Sequence, residues 1–322
     1  MLTQNRRILV IGELNLDLIV SGLQRAPMPG KEVLAADFRI VLGSASAIFA
    51  CGVRKLGNAV TFVSKVGDDA FGRDCRRALR ENGISDKQVK VDRDSTTGVT
   101  ISLSAAKDRA LVTHLGAIAE LEMADIAGDV FDRCAHVHMT SFFLQHALRS
   151  SFASIFRKAH QQGSTTSFDP NSDPSQSWKA DVWDVIAETD ILFVNESEAL
   201  ELSRKRTVEK ALAFLGSTAP CVVIKRGPNG AIAIRDGEMA MAAGFPIRVV
   251  DTTGAGDSFA AGFVHGYLER RGLSECLEFA NACGALSALQ AGGTAGQPTR
   301  MQLAQFLGKH RKGKTRVVSK AR

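Results

Sequence analysis

Apolar positions in this chain alternate between two rhythms. One is the short unbroken run: Ile8-Leu9-Val10-Ile11, stopped by Gly12, suits a strand buried on both faces. The other is an Ala-rich stretch of helical period: residues 44–56 read as a helix ended by Gly57. Val60 to Ser64 is a second, β-branched strand, and residues 72–79 a second helix stopping near Gly83. This opening predicts a parallel sheet flanked by helices. The rhythm then changes. Residues 97–104 and 110–114 read as short strands with no long helix between them. With residues 33–41 they predict a small accessory sheet outside the main one. Alternation resumes with strands at 137–139, 165–168, 191–194 and 221–225, and helices at 148–161, 180–188, 196–202 and 208–215. Asn229-Gly230 and Asp236-Gly237 are hairpin signals around strands 231–234 and 238–242, so an antiparallel section is expected there. Helices at 257–270 and 274–290 follow. No internal repeat interrupts the pattern, and one α/β unit with a small extra sheet is predicted.

Composition adds limits. Over 322 residues, 45% hydrophobic and 23% charged content excludes a disordered or fibrous chain. Aromatics are only 6%, which predicts an aliphatic core. The net charge of +6 is a property of the last fourteen residues, Lys309 to Arg322, which hold seven Lys/Arg and no acid; the rest is near neutral. Such a tail is expected to be solvated and disordered, and a nucleic-acid partner is not expected. No run approaches the roughly 18 apolar residues of a membrane span. The six cysteines lie in apolar contexts without a Cys-x-x-Cys, as expected of reduced thiols in a cytoplasmic protein.

The segment richest in chemistry is Asp251-Thr252-Thr253-Gly254-Ala255-Gly256-Asp257, running into Ser258-Phe259-Ala260-Ala261-Gly262-Phe263. A Gly-Ala-Gly turn entering a helix exposes consecutive backbone N–H groups, which with the helix dipole make an anion site. Asp257 lies at its mouth. An acid would repel a phosphate held statically. It suits a base that takes a proton from an attacking hydroxyl while the N–H groups stabilise charge on the moving phosphoryl group. Gly-x-Gly-Asp alone also fits a helix cap after a glycine turn, and the four residues leave both readings open.

The longer stretch Asp-Thr-Thr-Gly-Ala-Gly-Asp-Ser-Phe resembles the C-terminal signature of the ribokinase-like carbohydrate kinases, the phosphofructokinase-B family. Similar elements follow in the family's order over residues 8–300. They are Gly12-Glu13-Leu14-Asn15-Leu16-Asp17, Pro29-Gly30-Lys31-Glu32, Val66 to Gly72, Asp169-Pro170-Asn171, Asn195-Glu196-Ser197-Glu198 and Lys225 to Gly230. The resemblance implies a three-layer α/β sandwich: a single domain over residues 1–308 with a mostly parallel central sheet. Segments near 13–43 and 95–115 would form a small β-sheet lid over the substrate, and the matched architecture is complete by about residue 300.

The resemblance also implies ATP-dependent phosphoryl transfer to a hydroxyl of a sugar or sugar-like alcohol. Asp257 would be the base, and Gly254, Ala255 and Gly256 the anion hole. Asn195 and Glu198 would position Mg2+ and the ATP phosphates, often through water. Lys225, Gly227 and Gly230 would line the nucleotide with Thr252, and Asn281 the adenosine. Asn15 and Asp17 would hold sugar hydroxyls. Asp251 and Thr253 would lie near K+ or another monovalent cation. Lids of this kind sometimes pair between subunits, so a homodimer is an expectation too. A nucleoside kinase or a non-catalytic sugar- or nucleotide-binding regulator would share the fold. The intact Asp257 and its partners argue against the regulator, and few aromatics near the N-terminal motifs argue against a base-stacking site.

One departure stands out. The family's Gly-Gly-x-x-x-Asn here reads Gly43-Ser44-Ala45-Ser46-Ala47-Ile48. Ile48 stands where the Asn is expected, so an amide hydrogen bond to substrate is missing, and Ser44 or Ser46, beside Gly43, is expected to stand in. Three further patterns are discounted. Gly308 to Thr315 fits a P-loop formula but follows a helix rather than a buried strand. Asn195-Glu196-Ser197 fits a glycosylation acceptor, though nothing indicates secretion. His136 and His138 share a strand face without a third ligand nearby, as packed histidines would.

Overall fold

The computed structural model describes residues 7–105, 108–175, 177–178 and 181–314. Its centre is a nine-stranded sheet. In chain order these strands are β1 (Arg7–Ile11), β4 (Ala59–Gly67), β5 (Val89–Asp92), β8 (Cys134–Thr140), β9 (Thr165–Asp169), β10 (Ile191–Asn195), β11 (Cys221–Lys225), β12 (Ala231–Arg235) and β13 (Glu238–Ala242). Across the sheet the order is β13-β12-β11-β10-β9-β8-β1-β4-β5. The seven strands from β11 to β5 are parallel, and β12 and β13 are the antiparallel section signalled by the two glycine turns.

Both faces are covered, which is why β1 is apolar at every position after Arg7. Ile8 and Val10 point to the side of helices α1 (Ala45–Lys55), α7 (Ala255–Leu268) and α8 (Leu273–Ser287). Leu9 and Ile11 point to the side of α3 (Phe152–Gln161), α4 (Asp181–Ile186), α5 (Glu196–Ser203) and α6 (Val208–Leu215). Helix α2 (Ala70–Glu81) buries Cys75 and Leu79 in the same core as Phe62 and Val66 of β4. The expected aliphatic core needs correcting: nine of the 17 Phe are fully buried, and Phe142, Phe152, Phe156 and Phe168 pack edge to face. The low aromatic share reflects scarce Tyr and Trp, not scarce Phe.

The accessory sheet is β3 (Asp37–Leu42), β2 (Asn15–Leu23), β6 (Gly98–Ala105) and β7 (Asp108–His114), ordered β3-β2-β6-β7. Its registers place Asp17 opposite Val41 and Thr100, and Thr100 opposite Thr113, on one face. Leu18, Ile40, Ile101 and Val112 share the other.

The stretch expected to be a solvated tail begins inside a helix. Helix α9 (Arg300–Lys314) runs through most of the P-loop-like stretch and into the region expected to be disordered. Its Leu303 and Leu307 bury against Leu56, Ala282 and Cys283, which gives the helix a reason to persist. Residues 315–322 lie outside the described residues.

Candidate active site

Parallel strands deliver their C-terminal ends to one edge of the sheet, and ligands bind there in open α/β folds. Asp169 ends β9, Asn195 ends β10, Lys225 ends β11 and Gly12 follows β1. Helix α7 begins above this edge at Ala255, two residues before the expected start. Gly254 enters it in the left-handed region at φ +68°, and a Cβ there would sit 2.8 Å from both Ile48 Cγ2 and Gly293 Cα. The Ala255 N–H donates to the Thr252 carbonyl (3.1 Å). Among the described residues, the Ala255 N–H of the expected anion hole is therefore spent, while Gly256 and Asp257 keep unspent first-turn N–H groups.

Asp257 keeps part of its surface open to the cleft while protein crowds it elsewhere. Desolvation, reinforced by Asp169, pushes its carboxyl up to about 7; Glu13 and Asp17 add to the rise and Lys225 opposes it. Lys225 Nζ bonds Asp169 Oδ2 and stands beside Gly256. Burial disfavours the ammonium, but Asp169 and Glu198 outweigh it and hold the Lys225 pKa above its ordinary value. Asp169 had no role assigned from sequence. The Asp-Pro-Asn turn was its only signal, and strand order made it the partner of Lys225.

Asn195 and Glu198 cap α5 reciprocally. The Glu198 N–H donates to Asn195 Oδ1 (2.9 Å), and the Asn195 N–H donates to Glu198 Oε2 (2.8 Å). Glu198 Oε1 accepts from Ser172 Oγ (3.2 Å). Glu198 is only 5% exposed, and burial raises its pKa.

In the accessory sheet, Asn15 Nδ2 donates to Asp17 Oδ1 (3.0 Å). Gly43 makes room for that carboxylate, because a Cβ would come within 2.1 Å of Asp17 Oδ1. Ser44 and Ser46, expected to stand in as sugar ligands, both give their hydroxyls to protein partners. Ser44 Oγ caps α1 through the Ala47 N–H (3.0 Å) and donates to the Glu13 carbonyl. Ser46 is fully buried and gives its N–H to Glu13 Oε1 (3.1 Å) and its hydroxyl to Glu13 Oε2 (2.6 Å). Both serines are occupied with a buried acid that sequence reasoning passed over as part of a motif.

A cavity of about 460 Å3 opens on the other side of Gly256, lined by Lys225, Gly227, Gly230, Thr252 and Asn281 among others. Phe245 and Ile247 give it an apolar wall. Asn281 Nδ2 donates to the carbonyls of Ala242 (3.0 Å) and Ala243 (3.3 Å), so it fixes that wall as well as lining it. Asp251 ties two loops: Oδ1 accepts from the Thr253 N–H and hydroxyl (2.9 and 2.8 Å), and Oδ2 from the Gly292 N–H (2.9 Å). His136 and His138 are neutral core groups hydrogen-bonded to the Ser167 hydroxyl. Burial holds His136 down to about 3 and His138 well below the ordinary histidine range.

Comparison with known proteins agrees with this geometry. The family model described as pfkB family carbohydrate kinase matches residues 5–300. A ribokinase of Bacillus subtilis (strain 168) is 28% identical over 302 residues, covering 94% of this chain and 99% of the relative. A 2-dehydro-3-deoxygluconokinase of the same organism is 30% identical over 283 residues, covering 84% and 87%. A crystal structure from E. coli, described as a ribokinase II in complex with ATP and Mg2+, superposes with a TM-score of 0.83 at 26% identity, covering 94% and 99%. These likenesses favour neither a nucleoside kinase nor a non-catalytic regulator. The chain belongs to the pfkB family of carbohydrate kinases, and is an ATP-dependent phosphotransferase of ribokinase-like fold.

Proposed function

We propose that the chain transfers the γ-phosphoryl group of Mg2+-bound ATP to a hydroxyl of a small sugar or sugar-like alcohol, with Asp257 as general base. The observation that carries this is Asp257 itself: a carboxylate in the first turn of α7, with a pKa of about 7, beside two unspent N–H groups and Lys225. A base works best when its pKa lies near the operating pH. The sugar would lie under the lid, its hydroxyls bonded by Asn15 and Asp17. The nucleotide would occupy the cavity beyond Gly256. Asp257 takes the hydroxyl proton as the oxygen attacks. The Gly256 and Asp257 N–H groups and the Lys225 ammonium stabilise the charge on the phosphoryl oxygens.

Glu198, buried and already oriented by Asn195, suits a magnesium ion held through water, since that ion takes oxygen ligands and keeps several waters. Bound there, it would neutralise phosphate charge. Asp251 and Thr253 support K+ or another monovalent cation, which would balance the carboxylate that ties the loops flanking Gly254. Six buried free cysteines support a cytoplasmic setting. The lid face away from Asp17 exposes Phe38 (54%), Ile40 (49%) and Val112 (57%), which supports pairing of two lids in a homodimer, readable by light scattering.

The test is ADP release across a panel of neutral sugars, sugar acids, sugar phosphates and nucleosides, with Mg2+ and with K+ exchanged for Na+. Sugar-dependent release abolished by Asp257→Asn is expected. No release with any acceptor, beside a working control kinase, refutes the reading.

A further inference from the structure

Glu13 has no part in the mechanism above, yet it is a carboxylate only 3% exposed. Oε1 accepts from the Ser46 N–H (3.1 Å) and the Ser141 hydroxyl (2.8 Å), and Oε2 from the Ser46 hydroxyl (2.6 Å). Among the described residues no Lys, Arg or His forms an ion pair with it. Burying an unpaired carboxylate is expensive, so three hydrogen bonds aimed at one acid call for an explanation.

These bonds join segments that are far apart in sequence. Glu13 follows β1, Ser46 lies in the first turn of α1, and Ser141 follows β8. Asn171, in the turn after β9, reaches the same cluster through Asn171 Nδ2 to Ser141 Oγ (2.9 Å). Ser44 stands at φ +70°, in the left-handed region, where the family signature has glycine. It is held there by its bonds to the Glu13 carbonyl and the Ala47 N–H. One turn on, Ile48 presses on Gly254 and Gly293 instead of offering an amide to substrate. The start of α1 thus carries a serine–glutamate lock where the signature it resembles would place an Asn, and the locked helix abuts the turn that positions Asp257.

We propose that Glu13 is a positioning residue for phosphoryl transfer: it locks the first turn of α1 to the ends of β1 and β8, so that Ile48 seats the Gly254 turn and the Asn15–Asp17 segment faces Asp257. It touches neither the acceptor nor the reacting atoms. The proposal rests on Asp257 being the base.

A lock of this kind would also act electrostatically. The charges facing Asp257 are Asp169 from β9, Lys225 from β11, Asp17 from β2 and Glu13 from the turn after β1. Lys225 is paired with Asp169, so Glu13 and Asp17 oppose ionisation of the base.

Glu13→Gln keeps the size and removes the charge. In protein with 13C-labelled Asp carboxyls, the Asp257 signal is identified as the one absent from Asp257→Asn. It should titrate at lower pH in Glu13→Gln than in wild type, and the acid limb of kcat/KM should move the same way. Ser46→Ala and Ser141→Ala keep the charge and loosen the lock. They should raise the acceptor KM up to about tenfold with no downward move of that titration. If Glu13→Gln does not fold, Glu13→Asp and the two serine variants carry the test, with Glu13→Asp expected to raise the acceptor KM as the serine variants do. An unchanged Asp257 titration in Glu13→Gln, or an unchanged acceptor KM in the other variants, overturns the proposal. Full activity in Asp257→Asn would instead overturn the base assignment, and the titration comparison would still be read independently of it.

Discussion

Asp257→Asn tests the active site through two effects of opposite sign. The change keeps the shape and removes the base, so kcat should fall about 10²- to 10⁴-fold, the usual contribution of a positioned general base. ATP affinity should change little, because the N–H groups of Gly256 and Asp257 belong to the backbone. Stability should rise. The carboxyl pKa goes from 3.8 to about 7 on folding. The folded state therefore resists an ionisation that the unfolded chain undergoes freely. The penalty is absent below about pH 4, grows between pH 4 and 7, and is complete above 7. Roughly three pH units at about 1.4 kcal/mol each give about 4 kcal/mol, and screening by the open cleft reduces this to about 2. For a chain of this length that is about 3 °C in melting temperature at pH 8, and well under half as much at pH 5. Coupled ADP-release kinetics and calorimetric melts at the two pH values measure both effects. A variant less stable than wild type at pH 8, or one keeping more than about a tenth of kcat, would refute the reasoning: Asp257 would then be a helix cap.

Three further outcomes follow from the same geometry. Asp17→Asn should mainly raise the acceptor KM, since its hydroxyl bonds are made in ground and transition states alike, and steady-state kinetics separate this from the Asp257 effect. Lys225→Met should cost about 3–5 kcal/mol by leaving Asp169 buried without its cation, and adding Asp169→Asn should restore part of that in denaturant melts. Removing residues 315–322 should leave ATP binding unchanged. Removal from Lys309 deletes His310, which packs on Phe245 of the nucleotide cavity wall, and should raise the ATP KM several-fold.

The two hydrophobic rhythms determined the layered α/β architecture and the accessory sheet, and the Gly-Ala-Gly-Asp turn marked Asp257 as the candidate base, because strand burial, helix amphipathicity and turn chemistry are local properties. The hairpins at Asn229-Gly230 and Asp236-Gly237 were legible for the same reason. What lay beyond the sequence was every choice made between distant segments. Ser44 and Ser46 look like sugar ligands in a linear reading. They are donors to Glu13 only because β1 and the start of α1 meet in space. Lys225 reads as a nucleotide-loop residue, and it is Asp169's partner because β9, β10 and β11 lie side by side. The basic stretch after Lys309 reads as a solvated tail, yet the buried contacts of Leu303, Phe306 and Leu307 carry the helix onward. The Asp257 pKa belongs to this second group. Sequence named the residue, but desolvation and the field of Asp169, Glu13 and Asp17 exist only once segments far apart in the chain have been packed around it.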